Sequence, residues 1–518
     1  METDPSLHRR AAVAGVVAAG TALAFTELFA GVSQRIPSMV VAVSDIFVDG
    51  LPGDLVRTAI GIFGTSDKTV LLGGVVVVSL LVGARLGMAA LARPWVAPTG
   101  FGLFALVGVL AANRVAGASV LLSLVSVLVS AGVAVLVLRG LLAAVRYDAA
   151  RPAPPPADPE HPFTEPTRRT FLQLTGGVAA MAAGVGLSGR WLRERFSVES
   201  ARAEVSLPSI PGSPTAQGIE GVSGLSPFIT PNDEFYRIDT ALVVPQVAPD
   251  GWTLDVTGMV QQPFTIDFDE LLAMDMVEET ITMACVSNEV GGDLVGNALW
   301  QGVPLRDLLE RAGVDPAADQ VVGRSVDGFT AGFPTEAVFD GRPALLAVGM
   351  NGEPLPIVHG FPARIVVAGL YGYVSATKWL SEIELTTFDS FDAYWIPRGW
   401  SAEGPVKTQS RIDVPRGRRR LQPGTVIVAG VAWAPTRGIE RVEVQVDDDD
   451  WQEADLGPGT SDTTWRQWVW EWDAEPGEHT LTVRATDGEG DTQTEDRSAA
   501  APNGATGWHG VSVRVEED

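Results

Sequence analysis

The chain has 518 residues and a formal net charge of −26 at pH 7, most of it contributed after residue 200. Such an acidic chain excludes a nucleic-acid partner, which demands a basic face, while its length admits several domains. A single cysteine, Cys285, excludes an internal disulfide and an iron–sulfur cluster held by cysteines.

The first third is membrane-like. Stretches at about 11–33, 69–92, 98–113 and 116–139 are apolar over roughly the length that a bilayer helix needs, so residues 1–147 read as an all-α transmembrane bundle of about four spans. Between the first two, Ile36 to Phe63 is apolar but carries Asp45, Asp49, Asp54 and Arg57, each costly at the bilayer centre. It is expected as a pair of interfacial helices. Arg9 and Arg10 precede the first span, Arg85 and Arg93 end the second, and Arg139 and Arg146 close the fourth, which places those ends in the cytoplasm.

Residues 148–170 read as a disordered cytoplasmic linker, rich in proline and alanine from Arg151 to Pro166. The linker runs into Thr167-Arg-Arg-Thr-Phe-Leu-Gln173, which resembles a twin-arginine export signal, and the small apolar stretch Leu174 to Leu187 follows at once. Twin-arginine export carries domains across already folded, as a cofactor inserted in the cytoplasm requires. Residues 171–190 are then a fifth transmembrane helix, 191–224 a linker, and the protein a multi-pass component of the cell membrane with its catalytic part on the extracytoplasmic face. Ala201-Arg-Ala203 leaves cleavage open.

From 225 to 415 short strand-like runs alternate with turns and a few helices such as Pro304 to Ala312, the pattern of an α+β domain. A free cysteine there is either an inert buried thiol or a soft thiolate ligand for a redox-active metal. Downstream lie Met350-Asn-Gly-Glu-Pro-Leu-Pro356, His359-Gly-Phe-Pro-Ala-Arg364, Gly369-Leu-Tyr-Gly372 and Ala376-Thr-Lys-Trp-Leu380. Arg364 and Lys378 are charge-assisted donors suited to a phosphate, and the glycines let backbone N–H groups approach it. Upstream are Thr230-Pro-Asn-Asp-Glu-Phe-Tyr-Arg237, by itself a turn entering a strand, then Asn297 to Leu305 and the Asp-Gly turn of Ser325 to Thr330.

Taken together these motifs resemble the sulfite oxidase family, over about residues 225–515. The resemblance implies a molybdopterin-dependent oxidoreductase that transfers an oxygen atom with two electrons, its molybdenum bound by the pterin dithiolene and by Cys285. It places the pterin among Asn232, Phe235, Tyr236, Arg237, Asp327, His359, Arg364, Ala376, Thr377 and Lys378, and the substrate beside Trp300 and Tyr394. The cofactor is expected to be molybdenum-molybdopterin alone: none of His8, His161, His359, His479 and His509 lies in an expected span, so no bis-histidine haem sits in the bundle. Electrons then pass through a separate carrier, a cytochrome or a quinone-linked protein.

The pattern departs from the sulfite enzymes of the family at two places. Val286-Ser-Asn-Glu-Val290 stands where they carry arginine, and Glu289 would repel sulfite. Arg237 is one residue out of step with their second arginine, which on an extended strand turns Ile238 toward the metal instead. Arg398, Lys407 and Arg411 are candidates to restore the missing charge. Reduction of methionine sulfoxide or other S- and N-oxides is the alternative activity, and a non-catalytic scaffold the alternative class.

Residues 420–518 carry short β-branched and aromatic runs at Val426–Trp433, Ile439–Val446, Arg466–Trp472 and His479–Ala485, as in a β-sandwich. They resemble the immunoglobulin-like domain that follows the catalytic domain in sulfite oxidases and leave a homodimer through it open. Asp447 to Asp450 is a solvated turn or a weak calcium site.

Overall fold

The computed structural model describes residues 5–51, 55, 63, 66–115, 117–150, 166–211, 217–459 and 461–516. It divides into two compact units, 1–197 and 198–518.

The first unit is helical: α1 (Pro5–Val32), α2 (Met39–Gly50), α3 (Asp67–Ala92), α4 (Val96–Ala112), α5 (Val120–Ala150) and α6 (Pro166–Glu194). Among the described residues four helices are long and apolar enough to cross a membrane, namely α1, α3, α5 and the one that includes Phe171 onward. The expected third span, α4, has 17 residues, a rise of roughly 26 Å against a hydrocarbon core of about 30 Å. Of the expected interfacial pair, α2 is one member, and most of the remainder up to Phe63 lies outside the described residues, as does the linker 151–165. Arg168 and Arg169 fall in the first turns of α6.

Small residues set the helix contacts. A Cβ on Gly15 would stand 2.0 Å from the carbonyl oxygen of Gly83, and one on Gly31 would stand 2.2 Å from that of Gly189, so the backbones meet directly, as small residues permit. Gly87 meets Ala11 while Gly83 meets Ala19, so α1 and α3 run antiparallel. Gly186 meets Ala24 while Gly189 meets Gly31, so α1 and α6 run parallel. Arg146 donates to the carbonyls of Ala90 and Leu91, both at 3.0 Å, which brings the last turns of α5 and α3 to one end of the bundle.

The second unit starts earlier than the sequence suggests. Residues expected as linker are docked: Val198 is buried among the apolar residues behind the pocket, and Arg202, in the short helix Glu199–Glu204, donates to the carbonyls of Pro354 and Leu355 at 2.6 and 2.8 Å. An apolar side chain paired with a basic one about one helical turn later is an ordinary anchor, hidden in a stretch whose composition reads as loop.

Two sheets build the α+β domain. Its strands are β1 (Thr253–Gly258), β2 (Phe264–Asp267), β3 (Val277–Ala284), β4 (Val295–Pro304), β5 (Gln320–Ser325), β6 (Thr330–Pro334), β7 (Ala344–Met350), β8 (Glu353–Pro354), β9 (Arg364–Val367) and β10 (Leu380–Thr386). One sheet has the order β2-β1-β10-β5-β6, the other β3-β4-β7-β8 with β9 paired to β7. The helix Leu305–Ala312 buries Leu305, Leu308, Leu309 and Ala312, a single stripe at helical spacing, and stops at Gly313 with φ +68°.

The remaining strands are β11 (Gln409–Val414), β12 (Arg420–Leu421), β13 (Gly424–Trp433), β14 (Ile439–Val446), β15 (Gln452–Glu453), β16 (Asp455–Leu456), β17 (Arg466–Ala474), β18 (Gly477–Asp487) and β19 (His509–Val515). They form a four-stranded sheet, β11-β13-β17-β16, and a five-stranded one, β12-β19-β18-β14-β15. A shared core that includes Val428, Trp468, Val442, Val483 and Val513 joins the two as a sandwich. The sandwich begins at Gln409 rather than 420, because Gly430 lets β11 close on β13: a side chain there would collide with the carbonyl of Arg411. At the acidic turn Asp447 accepts from the backbone of Thr480 and pairs with His479. Among the described residues there is no group of three or more His, Cys, Asp or Glu that could hold a metal ion.

Candidate active site

A pocket of about 730 Å³, counting its open mouth, gathers residues from segments far apart in sequence. Phe235, Tyr236, Ile238 and Asp239 enter from the segment before β1. Cys285 comes from the residue after β3, Asp327 and Phe329 from the turn between β5 and β6, and His359 and Arg364 from the approach to β9. The helical turn Gly372–Ser375 and the residues before β10, Ala376, Lys378 and Trp379, complete it.

Cys285 ends a buried strand and is itself buried. Its amide donates to the Leu294 carbonyl at 2.9 Å, closing the loop that returns to β4, and its sulfur lies 2.9 Å from the Ser287 hydroxyl. Burial pushes the thiol pKa up, and the hydrogen bonds with Ser287 oppose this.

Arg364 is 5% exposed and lies over the ring of Trp300 at 5.1 Å. Its guanidinium donates to backbone carbonyls, with NH1 to His359 at 3.1 Å, and among the described residues no carboxylate forms an ion pair with it. Burial pulls its pKa down to about 10. A buried cation without a counter-charge is costly unless an anion joins it.

Lys378 donates to Asp239 at 2.8 Å and to the Val358 carbonyl at 3.3 Å. Burial lowers its pKa to about 8, against the opposing pull of Asp239. The same carboxylate accepts from Arg237 Nε at 2.9 Å. His359 Nε2 lies 2.9 Å from the Asn232 carbonyl, so that nitrogen carries the ring proton. Burial, with Arg364 and Lys378 nearby, pulls its pKa down to about 4 and keeps the ring neutral. Tyr236 stacks on Phe235 with ring centroids 5.1 Å apart, and burial raises its phenol pKa well above the ordinary value, with the Cys285 thiolate adding to the effect.

Of the residues singled out from sequence, Phe235, Tyr236, Cys285, Asp327, His359, Arg364, Ala376 and Lys378 line this one pocket. Trp300 does not line it. It is fully buried, packed edge-on against Phe235 at 5.8 Å and beneath Arg364, and it is these two side chains that line the pocket in its place. Tyr394 stands behind the lining, packed on Phe329 and Trp395. Asn232 ties strands together, donating to Glu353 at 2.6 Å, and only its carbonyl reaches His359. Thr377 donates to the Gly323 carbonyl at 3.3 Å in the core, and Arg237 sits outside the lining on Asp239.

None of Arg398, Lys407 and Arg411 lines the pocket, so none restores the missing charge there, and Glu289 does not line it either. Ile238 does. Sequence reasoning missed Asp239, which neutralises Lys378, and Tyr373, whose hydroxyl donates to the Ser401 carbonyl at 2.5 Å. An acid two residues beyond Arg237 was the available signal for Asp239.

Residues 241–395 match the family model described as an oxidoreductase molybdopterin binding domain. The oxidoreductase YuiH of Bacillus subtilis (strain 168) is 35% identical over 153 residues, 30% of this chain and 74% of that one. Mitochondrial sulfite oxidase of Rattus norvegicus is 29% identical over 344 residues, covering 56% of this chain and 62% of that enzyme's length. Among solved structures, the sulfane dehydrogenase SoxCD from Paracoccus pantotrophus matches with a TM-score of 0.49 at 21% identity, over 61% of this chain and 97% of that one. The family match and these relatives define a molybdopterin-dependent oxidoreductase. Within that class the chain belongs to the sulfite oxidase family.

The neutral state of His359 has a measurable consequence. An unfolded histidine takes up a proton near pH 6.5, whereas the folded ring does so only near pH 4. Below pH 6.5 the unfolded chain therefore binds more protons, and stability falls as pH drops toward 4, by roughly 3 kcal/mol for a shift of this size. Unfolding midpoints of the cofactor-free protein between pH 7.5 and 4 should show this loss, and His359→Gln should flatten the curve in that window. A variant curve parallel to the wild type would show that the ring is not held neutral.

Proposed function

We propose that the pocket holds molybdenum-molybdopterin with Cys285 as the protein ligand of the metal, and that the chain carries out two-electron oxygen-atom transfer on a small molecule from the outer face of the cell membrane. The observation that carries this reading is the buried, carboxylate-free guanidinium of Arg364 in the same pocket as the chain's lone thiol. The residues present fit the group. Arg364 and Lys378 offer charge-assisted donors to its phosphate, and Cys285 offers the soft ligand. Phe235, Tyr236, Asp327, His359 and Ala376 enclose it, while Asn232, Arg237, Thr377 and Trp300 hold those residues from behind.

When bound, the cofactor supplies the two-electron redox chemistry, and the chain supplies position and charge. Asp239 keeps Lys378 oriented, His359 stays neutral beside the two cations, and Trp300 supports Arg364. The pocket's two cations are both committed to the cofactor, and the remaining wall, with Ile238, Met283, Phe329, Tyr373 and Trp395 beside the neutral Thr240 and Ser325, adds no further cation. This favours a neutral S- or N-centred oxide, or its reduced form, over sulfite. Methionine sulfoxide falls within that group.

The parallel course of α1 and α6 supports the outward location. Arg9 and Arg10 hold the start of α1 in the cytoplasm, so the end of α6, which leads into the catalytic unit, emerges on the opposite side. Electrons then pass to or from a separate cytochrome or quinone-linked protein.

Cys285→Ser should abolish turnover and leave the unfolding midpoint near the wild-type value, since a hard oxygen replaces a soft sulfur. Elemental analysis in parallel reports whether molybdenum is held. A serine variant that turns over normally with the metal bound would refute the ligand assignment, and wild-type protein that takes up no molybdenum in a cofactor-competent host would leave only the scaffold.

Ile238→Arg should lower the Michaelis constant for sulfite about ten- to a hundredfold, the factor that one charged hydrogen bond of roughly 1.5–3 kcal/mol corresponds to. Neutral sulfoxides should change little. Efficient sulfite oxidation by the wild-type protein at low concentration would overturn the proposed preference.

For export, Arg168→Lys combined with Arg169→Lys should strand the catalytic unit in the cytoplasm while the preceding helices still insert. Protease added to cells with a permeabilised wall but an intact membrane then spares the variant and digests the wild type. Digestion of both would show that ordinary insertion suffices.

A further inference from the structure

The strand that leads to Cys285 depends on the C-terminal sandwich. β3 is the outer strand of its sheet, and the loop before β17 closes its open edge: the Thr282 amide donates to the Thr463 carbonyl at 3.0 Å, the Thr463 hydroxyl to the Thr280 carbonyl at 2.8 Å, and the Trp465 amide to the Thr282 hydroxyl at 2.7 Å. Beyond Cys285 the chain makes a tight loop of its own. The Asn288 amide donates to the Cys285 carbonyl at 3.0 Å, and the Asn288 side chain accepts from the Leu294 amide at 2.9 Å.

That loop is tied down from the sandwich side by Arg411 of β11. The side chain is 10% exposed, and each guanidinium nitrogen has its own acceptor. NH1 donates to the Gly292 carbonyl at 2.7 Å, NH2 to the Ser226 hydroxyl at 2.9 Å, and Nε to Asp413 at 2.7 Å. Asp413 in turn accepts from the Ser226 amide at 3.0 Å. One planar group thus joins three segments: the loop after Cys285, the segment that continues to Phe235 and Tyr236, and the sandwich. His509 of β19 reinforces the contact. Its Nδ1 accepts from the Ile412 amide at 3.0 Å, and its ring lies so close to Gly291 that a Cβ there would stand 2.2 Å from it.

We propose that Arg411 is a positioning residue for Cys285: by holding the Gly292 carbonyl and Ser226 together, it fixes the loop that presents the thiol to the pocket. Arg411 touches neither the thiol nor the pocket lining, so it acts through the loop. The proposal rests on Cys285 as the reactive thiol of the site. Lysine cannot replace arginine fully, since an ammonium lacks the planar fork that serves three acceptors at fixed angles.

The test uses the full-length protein, prepared without cofactor, and follows alkylation of Cys285 by iodoacetamide under native conditions, with the unfolding midpoint measured alongside. Arg411→Met should alkylate roughly tenfold faster or more, the factor that one lost charged hydrogen bond corresponds to in a local opening equilibrium. Arg411→Lys should fall between that variant and the wild type, and it decides the matter if Arg411→Met does not fold. The control is Arg437→Met, which removes another arginine of the sandwich, one bonded to Asp487, Thr408 and the Val406 carbonyl; it should leave the alkylation rate at the wild-type value. In protein loaded with molybdenum, Arg411→Lys should alter the electron paramagnetic resonance spectrum of the metal and lower kcat more than it raises KM. Alkylation at the wild-type rate in the Arg411 variants, or equal acceleration in Arg437→Met, would reduce Arg411 to a general stabiliser and overturn the proposal. The alkylation comparison needs no metal, so it stands apart from whether Cys285 ligates molybdenum.

Discussion

The candidate pocket is organised around a guanidinium that, among the described residues, is buried without a counter-charge. Arg364 is the first residue of a buried strand, lies against Trp300 and is served by carbonyls alone, so its full charge faces the cavity. Its neighbours adjust to it. His359 is held neutral by burial and by two adjacent cations, and Lys378 keeps an aspartate partner, Asp239, that is itself shared with Arg237. In a chain whose net charge is −26, this is a local positive island, which concentrates an anionic ligand where the surrounding field would repel it.

Much of this was legible in the sequence because the site is written as short linear motifs. His359 to Arg364 places two pocket residues, and Ala376 to Leu380 three, within a few positions, and backbone geometry alone brings neighbours together. The errors came where orientation depends on tertiary pairing. Trp300 alternates correctly as a strand residue, but only the folded chain reveals that Phe235 and Arg364, from segments remote in sequence, cover it. Arg411 read as a loose cation near the substrate, whereas its acceptors, Gly292, Ser226 and Asp413, come from segments up to 185 positions away.

The helical unit shows the same division. Apolar length announced the long helices, yet the direction of packing rests on individual small residues. Gly15, Gly83 and Gly87 specify an antiparallel contact, and Gly186 against Ala24 with Gly31 against Gly189 a parallel one, because at these positions two backbones come within van der Waals reach. Composition shows a helix rich in small residues; it does not show which partner those residues are meant to meet.

The domain boundary also proves to be a functional seam. An outer strand exposes unpaired backbone groups and is a weak place to hang a reactive side chain. Here β3 meets that difficulty by borrowing Thr463 and Trp465 from the sandwich, so the geometry at Cys285 is set by hydrogen bonds from both domains. Residues 198–518 form one compact unit, within which the sandwich completes an edge of the α+β domain. Its role in the enzyme therefore begins with the thiol, whether or not it also joins two copies of the chain.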